Sequence, residues 1–198
     1  MSSKEPRYFI INKPYKVLSQ FSSEDGNPGL GTLFQLPKDV YPVGRLDLDS
    51  EGLLILTNDK TVNNKLLDPK YGHRRIYWVE VESLPSNDSL ADFRRGLEIN
   101  LKGRTHKTKP CEIRILDDMV IEEREPPVNR KKHPITSWIE VILTEGKNRQ
   151  VRRMTAKIGH PTLRLIRHSI EGLELGSLES GQIVELSKNA IYSKLELK

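Results

Sequence analysis

A mixed sheet with helices is predicted by two features of the sequence. Strand-like and helix-like stretches alternate without an internal repeat, and no long Pro/Gly/Ser linker divides the chain. With 198 residues, 36% of them apolar and 30% charged, the chain is long enough for a packed core and has the composition of a soluble globular protein. Runs rich in β-branched and aromatic residues place strands at 7–11, 76–82, 111–116, 137–143, 162–167 and 182–186, and Leu53 to Leu56 form a further apolar strand. Three helices carry start and stop signals. One opens at about Asp59 with Asn58 or Thr57 as cap, one runs from about Asn87 to just before Gly96, and one from about Arg149 to just before Gly159.

The third helix is the most informative. At about 100° per residue, Val151, Met154 and Ile158 share a narrow arc, while Arg149, Arg152, Arg153 and Lys157 lie on the other side. One face packs and the other is cationic. Around it, residues 144–168 hold seven basic side chains (Lys147, Arg149, Arg152, Arg153, Lys157, Arg164 and Arg167) against one acid, Glu145, which exceeds the whole chain's net +5. A merely solvated helix usually carries balancing acids. Residues 43–59 are locally acidic, with Asp47, Asp49, Glu51 and Asp59 against Arg45, so an anionic ligand meets a polarised surface. The stretch 125–134 reads as a loop inserted in the domain. It holds Arg130, Lys131, Lys132 and His133 between prolines, and is either an exposed loop or an arm that orders on a phosphate backbone.

Several function classes are excluded. The longest apolar runs, such as 9–11 and 53–56, are far short of the ~20 residues that span a bilayer. The amino terminus reaches Asn12, Lys13 and Pro14 before a signal-peptide core can form, so a cytoplasmic location is expected. Cys111 is the only cysteine, which removes intrachain disulfides and multi-cysteine metal sites and makes a small buried hydrophobe its plain role. The five histidines show no metal-ligand spacing, and there is no Walker loop, GxGxxG or GxSxG. What remains is an acid cluster and a basic helix. In the segment from Val43 to Asp59, the acids are either solvated turn residues or include a catalytic carboxylate. Acids in such a place usually form turns; an apolar flank and the nearby Arg45 add weight to the second reading, because a partly buried carboxylate needs a cation to stay ionised.

Three blocks give this chain its resemblance to a known family: Asn12-Lys13-Pro14 after the first strand, Gly44-Arg45-Leu46-Asp47 through Glu51-Gly52-Leu53-Leu54, and Glu145-Gly146-Lys147-Asn148-Arg149-Gln150-Val151-Arg152-Arg153-Met154. They resemble the pseudouridine synthases that modify small- and large-subunit ribosomal RNA. Gly159 to Arg167 and Pro134 to Trp138 look most like the large-subunit group designated E, and the likeness runs from about residue 7 to 186. It implies an α+β fold with a central, mainly antiparallel sheet flanked by helices, a catalytic domain over 7–187 with tails at 1–6 and 188–198, and an active cleft between two subdomains. Relatives often begin with a small RNA-binding domain, for which this chain has no room before Arg7.

The resemblance also implies roles. Asp47 matches the catalytic aspartate, Tyr77 the active-site tyrosine and Arg152 the basic residue that pairs with the aspartate. Arg45 matches the arginine that orders the site around the flipped nucleotide. Arg149, Arg153 and Lys13 then contact substrate, with Arg130 and Lys131 as further docking cations. Lys16 stands where many members have glycine. No cofactor and no metal are implied, and the partner is ribosomal RNA or a precursor ribosomal particle, met by a monomer. Without the resemblance, Tyr77 reads as ordinary strand core and Arg149, Arg152 and Arg153 as generic surface residues. The competing functions are a non-catalytic RNA-binding or ribosome-assembly protein, a synthase acting on transfer RNA, and a glycosidase using Asp47 with Asp49 or Glu51.

Overall fold

A computed structural model describes residues 5–117 and 119–197. In chain order they form β1 (Tyr8–Lys13), β2 (Tyr41–Pro42), β3 (Glu51–Thr57), α1 (Lys60–Leu67), β4 (Arg75–Glu82), α2 (Asn87–Arg94), β5 (Glu98–Leu101), β6 (Arg104–Lys107), β7 (Glu112–Ile115), β8 (Thr136–Leu143), α3 (Gln150–Lys157), β9 (Thr162–Ile170), β10 (Leu173–Glu174), β11 (Ile183–Leu186) and α4 (Lys188–Lys194). The fold is α+β, and the chain makes two compact units. One comprises the residues up to His73 and those from Arg167 on; the other is Arg74–Ile166.

In the first unit β1 lies between β11 and β3, antiparallel to both, and β2 adds to β3. All seven residues of β3 are buried, as its unbroken apolar run requires. Phe9 and Ile11 of β1 pack with Leu54 and Leu56 of β3, and Leu46 joins them from the loop before β3. Each such side chain, fully buried, contributes about 1.5–3 kcal/mol, so this core fixes where that loop begins.

Helix α1 opens one residue later than the sequence suggests. Asp59 is its cap and accepts from the Thr61 N–H at 2.8 Å, while its other oxygen accepts from the hydroxyls of Tyr8 and Tyr192, each at 2.8 Å. Asn58 instead accepts from the Arg7 N–H. Tyr192 belongs to α4, in the stretch expected as a tail. Ser187 caps that helix, and Ile191 and Leu195, four residues apart, are fully buried.

In the second unit β8 lies between β4 and β7, again antiparallel. Val79, Val81, Ile139 and Val141 of this sheet pack with Phe93 of α2 and with Val151 and Met154 of α3. The apolar arc foreseen for α3 is therefore the one that faces the core. Ser86, rather than the helix's first residue, caps α2 and accepts from Ser89 N–H.

A two-stranded hairpin, β5–β6, was not foreseen. Its turn is Lys102-Gly103, both with positive φ (52° and 82°), the geometry that matches strand twist and that glycine supplies freely.

Candidate active site

The first unit carries Asp47 in the loop between β2 and β3. Leu46 is buried in the core, and Ser19 holds it from both sides: the Ser19 hydroxyl donates to the Leu46 carbonyl at 2.9 Å and accepts from its N–H at 3.0 Å. Asp47, the next residue, is only half-buried, and its carbonyl accepts from Ser50 N–H at 3.0 Å. The Asp47 side chain is thus carried on backbone tied down on both sides. Arg45, on the other side of Leu46, is exposed. Ser19→Ala leaves a buried N–H and carbonyl unpaired, so it should cost about 2 kcal/mol of stability. It should also lower kcat more than KM, because the Asp47 backbone loosens. Thermal melting with steady-state kinetics checks both; an unchanged kcat contradicts the clamp.

The Asn12-Lys13-Pro14 turn is stitched to the same loop. Lys16 N–H donates to the Leu48 carbonyl at 2.9 Å, and Lys16 has φ of 61°, the left-handed conformation for which glycine is the natural choice. The lysine at this position therefore leaves the turn shape intact. Lys13 differs from expectation. It is 0% exposed, and its ammonium donates to the carbonyls of Pro14 at 2.8 Å and Val17 at 2.7 Å. It holds the turn from inside rather than waiting at the surface for a phosphate. Burial pushes its pKa down to about 8, against the upward pull of Glu51, Asp49 and Asp47.

That shift has a sign that can be tested. The unfolded chain keeps the Lys13 proton up to about 10.5, whereas the folded chain releases it near 8. Between those values the unfolded state binds more protons, so the Lys13 contribution to stability rises with pH. The stability of the wild type relative to Lys13→Met should therefore grow between pH 7.5 and 9.5, by up to about 2 kcal/mol. Denaturant unfolding at the two pH values measures it, and a constant gap contradicts it.

The second unit carries the tyrosine and the arginines. Tyr77, half-buried on β4 opposite Val141 of β8, packs against the core that also seats α3. Arg149 precedes α3 in a left-handed conformation with φ of 51°, so it lies on the turn rather than on the helix face. Arg152 and Arg153 are half-buried: Arg152 Nη1 donates to the Thr162 carbonyl at 3.4 Å, and Arg153 donates to Asn148. Lys157 alone of the four is exposed.

Glu145, the single acid of this basic block, explains its own presence. It is buried and accepts from Lys109 N–H and from Gln150 Nε2, both at 2.8 Å, with His106 Nε2 3.4 Å away. Burial pulls its pKa upward, but these donors outweigh it and hold the carboxyl below its ordinary value.

Arg130 is engaged within the protein. It pairs with Glu80, which is 1% exposed, with Glu123 at 3.1 Å and with the Thr136 hydroxyl at 2.9 Å. Removing it would strand a buried carboxylate, so Arg130 neutralises Glu80 within the fold. The loop around it is folded on its protein neighbours: Val128 is buried, Asn129 accepts from the N–H groups of Lys132 and His133, and Arg164 donates to the Glu122 carbonyl at 2.6 Å. Lys131 is exposed there. Cys111 is half-buried, and burial pushes its thiol up to about 11, which leaves it unreactive. Among the described residues no His/Cys/Asp/Glu group could hold a metal ion, and no helix is long and apolar enough to cross a membrane.

Comparison with known proteins adds to this geometry. Residues 7–157 match the family model for RNA pseudouridylate synthase. The chain is 43% identical over 187 residues to the ribosomal large subunit pseudouridine synthase E of Vibrio vulnificus, covering 94% of this chain and 78% of that one. It is 46% identical over 172 residues to the enzyme of the same name from Xanthomonas axonopodis pv. citri, covering 85% and 88%. A crystal structure of a pseudouridylate synthase superposes with a TM-score of 0.78 at 28% identity, over 98% of this chain and 76% of that one.

Proposed function

The chain belongs to the RNA pseudouridylate synthase family, and from that premise we propose that it isomerises a specific uridine of large-subunit ribosomal RNA, with Asp47 as the reacting carboxylate. The isomerisation breaks the N1–C1′ bond of uridine and rejoins the same ring through C5. The C5 proton is lost and N1 gains one, so the product has the composition of the substrate and the step needs no oxidant and no donated group. The observation that carries the choice of RNA is the 43–46% identity to enzymes named for the large ribosomal subunit.

Breaking the bond at C1′ is glycoside chemistry, and it starts from an ionised carboxylate, which either attacks C1′ or removes a sugar proton. Asp47, held at the end of the Ser19 clamp, supplies it. The target base must first leave its stack, at a cost of a few kcal/mol, and the half-exposed Tyr77 ring offers it a surface and a route for the C5 proton. Arg152 keeps the carboxylate charged, Arg45 orders the nucleotide, and Arg149 and Arg153 meet phosphates. Residues 7–187 carry this chemistry, in the cytoplasm, as a monomer acting on ribosomal RNA or a precursor particle.

An unmodified large-subunit RNA transcript labelled with tritium at C5 of uridine tests the proposal. The purified protein should release about one tritium equivalent per RNA. Release from transfer RNA instead would move the substrate, and release from neither, with salt-sensitive binding kept, would leave an RNA-binding protein.

A further inference from the structure

We propose that the β5–β6 hairpin is a second grip on the RNA backbone, binding phosphates next to the segment held by the turn before α3; this rests on the synthase reading above. The twelve residues 98–109 hold Lys102, Arg104, Lys107 and Lys109 against one acid, Glu98. All four are exposed, and among the described residues no ion pair engages any of them; Lys107 donates to the Gly96 carbonyl. The hairpin is also fixed in place. Ile99 is buried in the second unit's core, Leu97 and Leu101 pack beside it, and Asn100 Oδ1 accepts from Gly103 N–H at 2.8 Å to close the turn.

Its position matters as much as its charge. The buried Glu145, immediately before the turn that carries Lys147 and Arg149, binds Lys109 N–H and lies beside His106. One carboxylate thus ties the base of the hairpin to the start of α3, and the hairpin cations extend the cationic turn along the surface of the same unit. A rigid ribbon that holds four cations against one acid, Glu98 opposite Lys107, matches the spaced charges of a nucleic-acid backbone. The loop at 130–133, expected to do this work, has its arginine committed to Glu80 and Glu123.

The double substitution Lys102→Ala/Arg104→Ala changes only exposed residues at the hairpin tip. Binding of a large-subunit RNA fragment, followed by fluorescence anisotropy across a salt series, should weaken roughly tenfold, with the slope of log K against log salt shallower by roughly 1.5. In turnover on the same fragment the loss should fall on KM, with kcat and the melting temperature retained. Lys102→Glu/Arg104→Glu should weaken binding further. Unchanged affinity and slope overturn the proposal, as does a variant that aggregates yet binds RNA as the wild type does, because the cations would then only guard the hairpin edges. The binding arm judges the hairpin even on a fragment that the wild type leaves unmodified, and that second result would count against the synthase reading alone.

Discussion

Asp47→Asn should lower the single-turnover rate of pseudouridine formation by roughly four orders of magnitude or more. The amide keeps the size and shape of the carboxylate but can neither attack C1′ nor accept a sugar proton. The backbone contacts that place the loop run through Leu46 to Ser19, through Leu48 to Lys16 and through the Asp47 carbonyl to Ser50, and all of them are kept in the variant. Melting should therefore shift by no more than about 1 kcal/mol, and RNA affinity should be equal or slightly better with one negative charge removed. Rapid mixing of excess enzyme with C5-tritiated RNA gives the rate, and anisotropy the affinity. A variant that folds, binds and still turns over at a tenth of the wild-type rate would remove Asp47 from the chemistry.

The largest stability effect should come from Gly52→Ala, at the point where the Asp47 loop enters β3. Gly52 has φ of 103°, a conformation costly for any residue with a side chain. A Cβ there would lie 2.4 Å from the Arg167 carbonyl oxygen and 2.8 Å from its nitrogen, inside backbone that cannot swing aside. Arg167 is itself tied back to this strand, its Nε donating to the Leu53 carbonyl at 2.8 Å. Strain and overlap together should cost about 4 kcal/mol, or roughly 10 °C in melting temperature for a chain of this size. Gly146→Ala is the control. Its Cβ would meet open space, so it should shift stability by no more than about 0.5 kcal/mol. Calorimetry or thermal denaturation followed by circular dichroism separates the two, and equal effects would contradict the close approach at Gly52.

Much of this arrangement is legible in the sequence because it is local. The unbroken run Leu53 to Leu56 reads as a strand buried on both faces, and β3 is one. Val151 and Met154 mark the inner face of α3 by spacing alone. The α4 helix was also within reach, through the Ser187 cap and the Ile191/Leu195 spacing, but seven polar-rich residues carry a weak periodic signal. The β5–β6 hairpin has four-residue strands and a Lys-Gly turn, both below the threshold of the usual strand signals.

What could not be read depends on partners far away in sequence. Arg130 meets Glu80 from 50 positions away, and nothing near either residue announces it. Ser19 reaches across 27 positions to Leu46. Lys13 is the sharpest case, because lysine is almost never fully buried, so its type argued for the surface while the carbonyls of Pro14 and Val17 drew it inside. Of the proposed site, Asp47 was assigned from the motif. The device that holds it came only from the fold.

The central claim, that this chain converts one uridine of large-subunit ribosomal RNA through Asp47, is tested most directly by carbodiimide mapping of pseudouridines. RNA from cells lacking the gene is compared with RNA from the same cells carrying the wild-type gene or Asp47→Asn. One reverse-transcription stop in large-subunit RNA should vanish with the gene, return with the wild type and stay absent with Asp47→Asn. A map that is identical in all three strains, or a stop restored by Asp47→Asn, would contradict it.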